Sequence, residues 1–163
     1  MPITPFHFGP GAALYSAAPR YISFLAFCAA NVLIDIESLT NLLAHRHPVH
    51  AFFHTYVGAT IALAATVVLF WTGRQLSLWV PLPNLFGWKQ LTLLPVTFGA
   101  AAGAYSHIAL DSIMHADMTP LAPFSEGNSL LGAVSLGTLH LFCIGCAVVG
   151  ALVLGVREVI ANK

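Results

Sequence analysis

The chain has 163 residues, 58% of them hydrophobic and only 7% charged, with a formal net charge of zero and a mean hydropathy of +0.82. A soluble domain carries roughly 25% charged residues, so this chain cannot cover itself with water-facing groups, and its charge balance offers no basic surface to nucleic acid. Its length suits a single domain, and the solvent it implies is lipid.

The N-terminus, Met1-Pro-Ile-Thr-Pro-Phe-His7, has no basic stretch ahead of an apolar core, so no cleavable signal peptide is expected. Gly9-Pro10-Gly11, Ala12 to Ala18 and then Pro19 read as a half-helix too short to span. It is expected to dip back into the bundle and bring His7 to the depth of Asp35. The 10 prolines and 13 glycines follow no period and read as helix punctuation and close helix packing.

A span needs about 20 mostly apolar residues, each rising about 1.5 Å, to cross roughly 30 Å of hydrocarbon. Residues 21–43, 49–72, 91–113 and 130–156 meet that need. The fold expected is all-α: one integral membrane bundle of about four transmembrane helices with a short or re-entrant N-terminal helix. Within the first span Asp35-Ile36-Glu37-Ser38 interrupts the apolar run, and intramembrane charge is costly and usually functional.

Alternating spans put Arg20, Arg74, Lys89, Arg157 and Lys163 on one side, and Arg46, Asp117 and Glu126 on the other. The positive-inside rule then makes the Arg74/Lys89 loop cytoplasmic, as expected for a bacterial inner membrane, with Trp71, Trp79 and Trp88 as interfacial anchors. Asp35, His54 and His107 fall at a similar distance from the basic end, roughly 21 to 28 Å by helical rise. A site built from them faces outward, near the outer leaflet.

His50 and His54 stand four apart, as do His107 and Asp111, with His115 and Asp117 beyond. Read as helical, each pair shares one face a turn apart, and two such pairs on facing helices is how bundles build metal sites. Either pair alone can be a plain interhelical polar contact. With Asp35, Glu37 and His7 added, so many buried imidazoles and carboxylates without a cation or dedicated partners would cost too much. Imidazole with carboxylate and no thiolate suits a divalent metal, zinc first and manganese or iron after it, in one to three ions. Asp35 and Asp111 each have two oxygens with which to bridge or orient two ions.

The other polar residues carry weaker signals. Arg46 is a candidate clamp for an anionic substrate, His45 and His47 read as solvated, and His140 as packed and hydrogen-bonded. Residues 119–128 form either a lid or a plain connector whose Asn128 caps the last helix. Glu126 is a further candidate ligand or base. Cys28, Cys143 and Cys146 are odd in number and lie in apolar runs, so they read as packing residues rather than a disulfide framework.

Thr4-Pro-Phe-His7, Ile34-Asp-Ile-Glu37, His45-Arg-His-Pro-Val-His50 and Ser106-His-Ile-Ala-Leu-Asp111 resemble, in order and spacing, the motifs of the YdjM-like membrane-bound metal-dependent hydrolases. That family is grouped with the zinc-dependent phospholipase C superfamily, and the resemblance runs from His7 to about Asn128. It implies an all-helical hydrolase with His7, Asp35, His50, His107 and Asp111 among its metal ligands. The chain departs from the motifs at Glu37, where members commonly carry aspartate, and after His50, where Ala-Phe-Phe-His54 replaces the usual serine. Glu37 and His54 are therefore candidates from spacing alone.

Two functional classes follow. One is a metal-dependent hydrolase acting on a phosphoester in a lipid or amphiphile, with Asp35 or Glu37 as proton acceptor. The other is a non-catalytic membrane protein that binds or moves an ion through the same residues, or holds haem between His54 and His107.

Overall fold

The computed structural model describes residues 4–162, which are helix, turn and loop with no strand among them. Five α-helices follow in order: α1 (Phe8–Ala17), α2 (Phe24–Leu43), α3 (Tyr56–Leu76), α4 (Leu93–Met114) and α5 (Leu136–Ala161). Short 3-10 turns lie at Thr4–His7, Phe52–His54 and Leu85–Gln90. Helices α2 to α5 are each long and apolar enough to cross a membrane. With 10 residues, α1 reaches only about 15 Å and stops before Pro19, which disfavours helical geometry in the residue ahead of it.

Hydroxyl caps decide where the long helices begin. Ser23 Oγ accepts from Ala26 N–H at 3.2 Å, Thr55 Oγ1 from Gly58 N–H at 2.9 Å and Ser135 Oγ from Thr138 N–H at 3.1 Å, each satisfying a donor that the first turn leaves orphaned. Two spans consequently start later than hydropathy alone implies, at Tyr56 and Leu136 rather than 49 and 130. The expectation that His50 and His54 share a helical face is corrected: His50 lies in a loop and His54 ends a 3-10 turn. That turn folds back onto α3 so closely that a Cβ at Gly58 would collide with the Phe52 carbonyl.

At the centre of the bundle, α4 packs against both α2 and α3. Gly99 and Gly103 meet the α2 backbone at Ser23 and Phe27, and Ser23 N–H donates to Pro95 O at 2.8 Å. Ala26, Ala30, Ile34, Ala100, Ala104 and Ile108 fill the seam. Lipid tails are as apolar as these side chains, so close backbone approach and dispersion hold such helices together.

Along the other side, α1 runs beside α5 in the same direction, Gly9 against the Cys143 carbonyl and Gly150 against Ala12. The outer faces of α3 and α5 present Val68, Leu69, Leu141 and Leu152, an apolar belt suited to acyl chains. Basic residues collect at one end, where Arg20 and Arg157 line a common cleft and Arg74 donates to Leu91 O at 3.2 Å. The histidines and the carboxylates other than Glu158 collect at the other, where Arg46 also lies.

Candidate metal centre

Two helical stripes and two short segments build the polar end. Asn31, Asp35 and Ser38 lie along one face of α2, and His107 and Asp111 stand four apart along α4, with His115 just past its end. The 3-10 turn after the α2–α3 loop brings in His54, and the segment ahead of α1 brings in His7. His7, His54, His107 and Asp111 are all buried, whereas the Asp35 side chain keeps 26% of its surface exposed.

Asp35, His54, His107 and Asp111 point one donor atom each at a common centre. His107 Nε2 lies 3.3 Å from Asp35 Oδ1, 3.2 Å from Asp111 Oδ2 and 3.4 Å from His54 Nε2. His54 Nε2 lies 3.5 Å from Asp35 Oδ1 and 3.7 Å from Asp111 Oδ2. Four donors at about 2.0–2.1 Å around a tetrahedral ion are separated by about 3.4 Å. The five separations bracket that value, so the residues could hold a metal ion.

Hydrogen bonding fixes which nitrogen of His107 faces the centre. Asn31 Nδ2 donates to Phe27 O at 2.8 Å, which leaves Asn31 Oδ1 to accept from His107 Nδ1 at 2.9 Å. Nδ1 therefore carries the proton and Nε2 turns a lone pair inward, as a metal-bound imidazole requires. His7 Nδ1 lies 3.0 Å from the same His107 nitrogen.

On its other edge, His7 Nε2 is 3.1 Å from Asp111 Oδ1, yet neither atom has a hydrogen bond of acceptable direction. The distance alone is within ion-pair range; the angle decides, and it leaves both atoms orphaned. Buried polar atoms are rarely left so, and a cation answers that need where a misdirected N–H does not.

A second set gathers beside the first, with donor atoms of His50, Asp111 and His115 within reach of one another. Asp117 Oδ1 meets His50 Nδ1 at 2.8 Å, and its Oδ2 accepts from the backbone N–H of Val49 at 3.0 Å and of His50 at 3.1 Å. Burial pushes the Asp117 carboxyl up, but the hydrogen bonds from His50 and Val49 outweigh it and hold the group below its ordinary value. Burial, with His50 alongside, pushes the His115 imidazole down.

The remaining candidates take other positions. Glu37 Oε2 accepts from Phe53 N–H at 2.7 Å and stays 4.0 Å from His54 Nδ1, so it braces the turn that carries His54. Arg46 is exposed in the loop with His45 and His47, and makes no ion pair among the described residues. Glu126 is exposed as well. His140 stacks on Phe6 at 4.6 Å, but its Nε2 is buried without the hydrogen bond expected for it.

Asn128 does not cap the last helix. It donates to Ser112 O at 2.9 Å and His115 O at 3.4 Å, closing the carbonyl end of α4 that carries the donors. Ser38 Oγ lies 3.1 Å from His54 Nε2 and 3.3 Å from its Nδ1; the sequence signal of Asn31 and Ser38 is a polar residue one turn either side of Asp35. A groove of about 750 Å³ between α2 and α3 is walled by Leu25, Val32, Leu69, Phe70 and Trp88 and holds none of the donors. Set against protein-family models, curated proteins and solved structures, the chain matches none.

Proposed function

We propose that this protein is a membrane-embedded, metal-dependent hydrolase acting on a phosphoester in a lipid or amphiphile. The observation that carries the reading is the four-donor array of Asp35, His54, His107 and Asp111, spaced as the ligands of one ion, three of them buried where unpaired charge would be prohibitive. A divalent ion held there supplies Lewis acidity toward a phosphoryl oxygen and acidifies water. The resemblance of the Ser-His-x-x-x-Asp and neighbouring motifs to the YdjM-like hydrolases supports the same assignment.

The chain's own residues divide the work. Asn31 holds His107 in the tautomer that ligates, and Glu37 and Ser38 hold the turn bearing His54. Asp35, the carboxylate of the set with an exposed edge, is assigned to take the proton from a water attacking the ester. With the basic end in the cytoplasm, substrate reaches this edge from the outer leaflet.

One feature favours the non-catalytic alternative: four protein donors are the count of a closed structural site, whereas hydrolytic centres keep a position open. Haem between His54 and His107 is disfavoured, because Asp35 and Asp111 occupy the space beside both nitrogens where a porphyrin would lie. The deciding experiment is metal analysis and a phosphodiester and phospholipid panel on protein in nanodiscs, wild type beside His107→Ala. Near-stoichiometric zinc and metal-dependent cleavage, both lost in the variant, are expected. A zinc-loaded wild type that cleaves nothing in the panel removes the hydrolase, and a variant that keeps its metal removes the ligand assignment.

A further inference from the structure

We propose that His50, Asp111 and His115 form a second, three-donor metal site, with Asp117 as the positioning residue for His50. The proposal rests on the reading that Asp111 serves a metal centre, and it assigns the open coordination position that the four-donor array lacks.

Each donor is argued from its surroundings. Asp117 accepts two backbone N–H groups through Oδ2 and meets the His50 ring through Oδ1. An ionised carboxylate only accepts, so His50 Nδ1 donates to it and the lone pair of His50 sits on Nε2. This is the carboxylate–imidazole pairing that orients a metal-binding histidine.

The His115 ring stacks on that of His50, centroids 3.9 Å apart and planes within 27°, so the two rings lie nearly parallel. His115 Nε2 is buried and has no hydrogen-bond partner. Asp111 turns Oδ2 to the four-donor array, while its Oδ1 lies 3.1 Å from His7 Nε2, and one of its oxygens is also within reach of the His50 and His115 nitrogens. A carboxylate has two oxygens, so one side chain can serve two ions.

The two sets differ in donor count. Three protein donors leave room for a water or a substrate oxygen, the arrangement of catalytic rather than structural zinc. The ligand class is a borderline divalent cation, zinc or manganese, with an anionic oxygen completing its sphere.

The test is zinc titration of the full chain in nanodiscs, read as stoichiometry by elemental analysis and as affinity by calorimetry. Wild type is expected to hold two zinc ions, and His115→Gln and His50→Gln one each, with the remaining ion as tight as before. Asp117→Asn removes no donor, but its NH2 must face either the backbone N–H groups or the imidazole N–H. It is expected to weaken one ion by about 10–100-fold and leave the other unchanged, a split that a loop brace alone would not produce.

One ion in wild type, unchanged in His115→Gln, overturns the second site and leaves the four-donor centre standing. No ion in wild type removes both. Two ions retained in both glutamine variants overturns the ligand assignment. Helical circular dichroism together with retention of the tight ion reports folding, and Asp117→Asn carries the contrast if a glutamine variant fails to fold.

Discussion

Helices α4 and α5 invert the rule of soluble proteins. The apolar window of α5 has a mean hydropathy of 2.4 and is 17% buried, whereas that of α4 has only 1.3 and is 44% buried. In water the more apolar helix would go inside; here it lies at the edge, and the interior helix carries Gly99, Gly103, His107, Asp111 and Ser112. Bulky apolar side chains lose nothing by facing acyl chains, so the interior goes to residues that let backbones touch or that need a polar partner.

This contrast can be broken most severely at Asp111. Asp111→Ala takes an oxygen from the four-donor array and the bridge from its neighbour, and total loss of bound zinc by elemental analysis is expected; wild-type metal content would place the ligands elsewhere. Next comes Gly103→Val, whose added atoms would run into the Phe27 backbone and the Asn31 amide. Overpacking of this kind costs about 1–3 kcal/mol, to be read as a lowered unfolding midpoint in detergent together with weakened metal binding, since Asn31 orients His107.

Smaller effects sharpen the same comparison. Thr55→Ala removes the cap that ends the His54 turn, an expected loss of about 1 kcal/mol in the same unfolding assay. At the low end stands Gly155→Val on α5. Nothing lies within 4 Å of a Cβ added there, so a change within about 0.5 kcal/mol is expected. A large loss at Gly155 would mean that the outer face of α5 is packed against protein rather than lipid.

Much of this architecture is legible in the residues because bilayer thickness leaves so few choices: twenty apolar residues have one use. The His107–Asp111 step was equally readable, since it lies deep inside α4 where helical period holds. At His50 and His54 the same spacing misled. Thr55 caps α3 just beyond them, and Gly58 lets the preceding turn fold back, so local capping overrode an apolar run. Asn128 misled for a related reason: its amide closes the helix before it, and only the fold shows which of two helix ends lies within reach. Asn31 and Ser38 went unnoticed because a lone amide or hydroxyl in an apolar helix carries no charge to draw attention. Their meaning comes from the imidazoles they touch.

The pairing of α1 with α5 bears on how such a centre comes into being. Translation delivers His7 before Asp35, His54, His107 and Asp111, yet α1, which follows it, packs along the last of the five helices to leave the ribosome. The first histidine of the polar end to be made is thus the last to be locked in place.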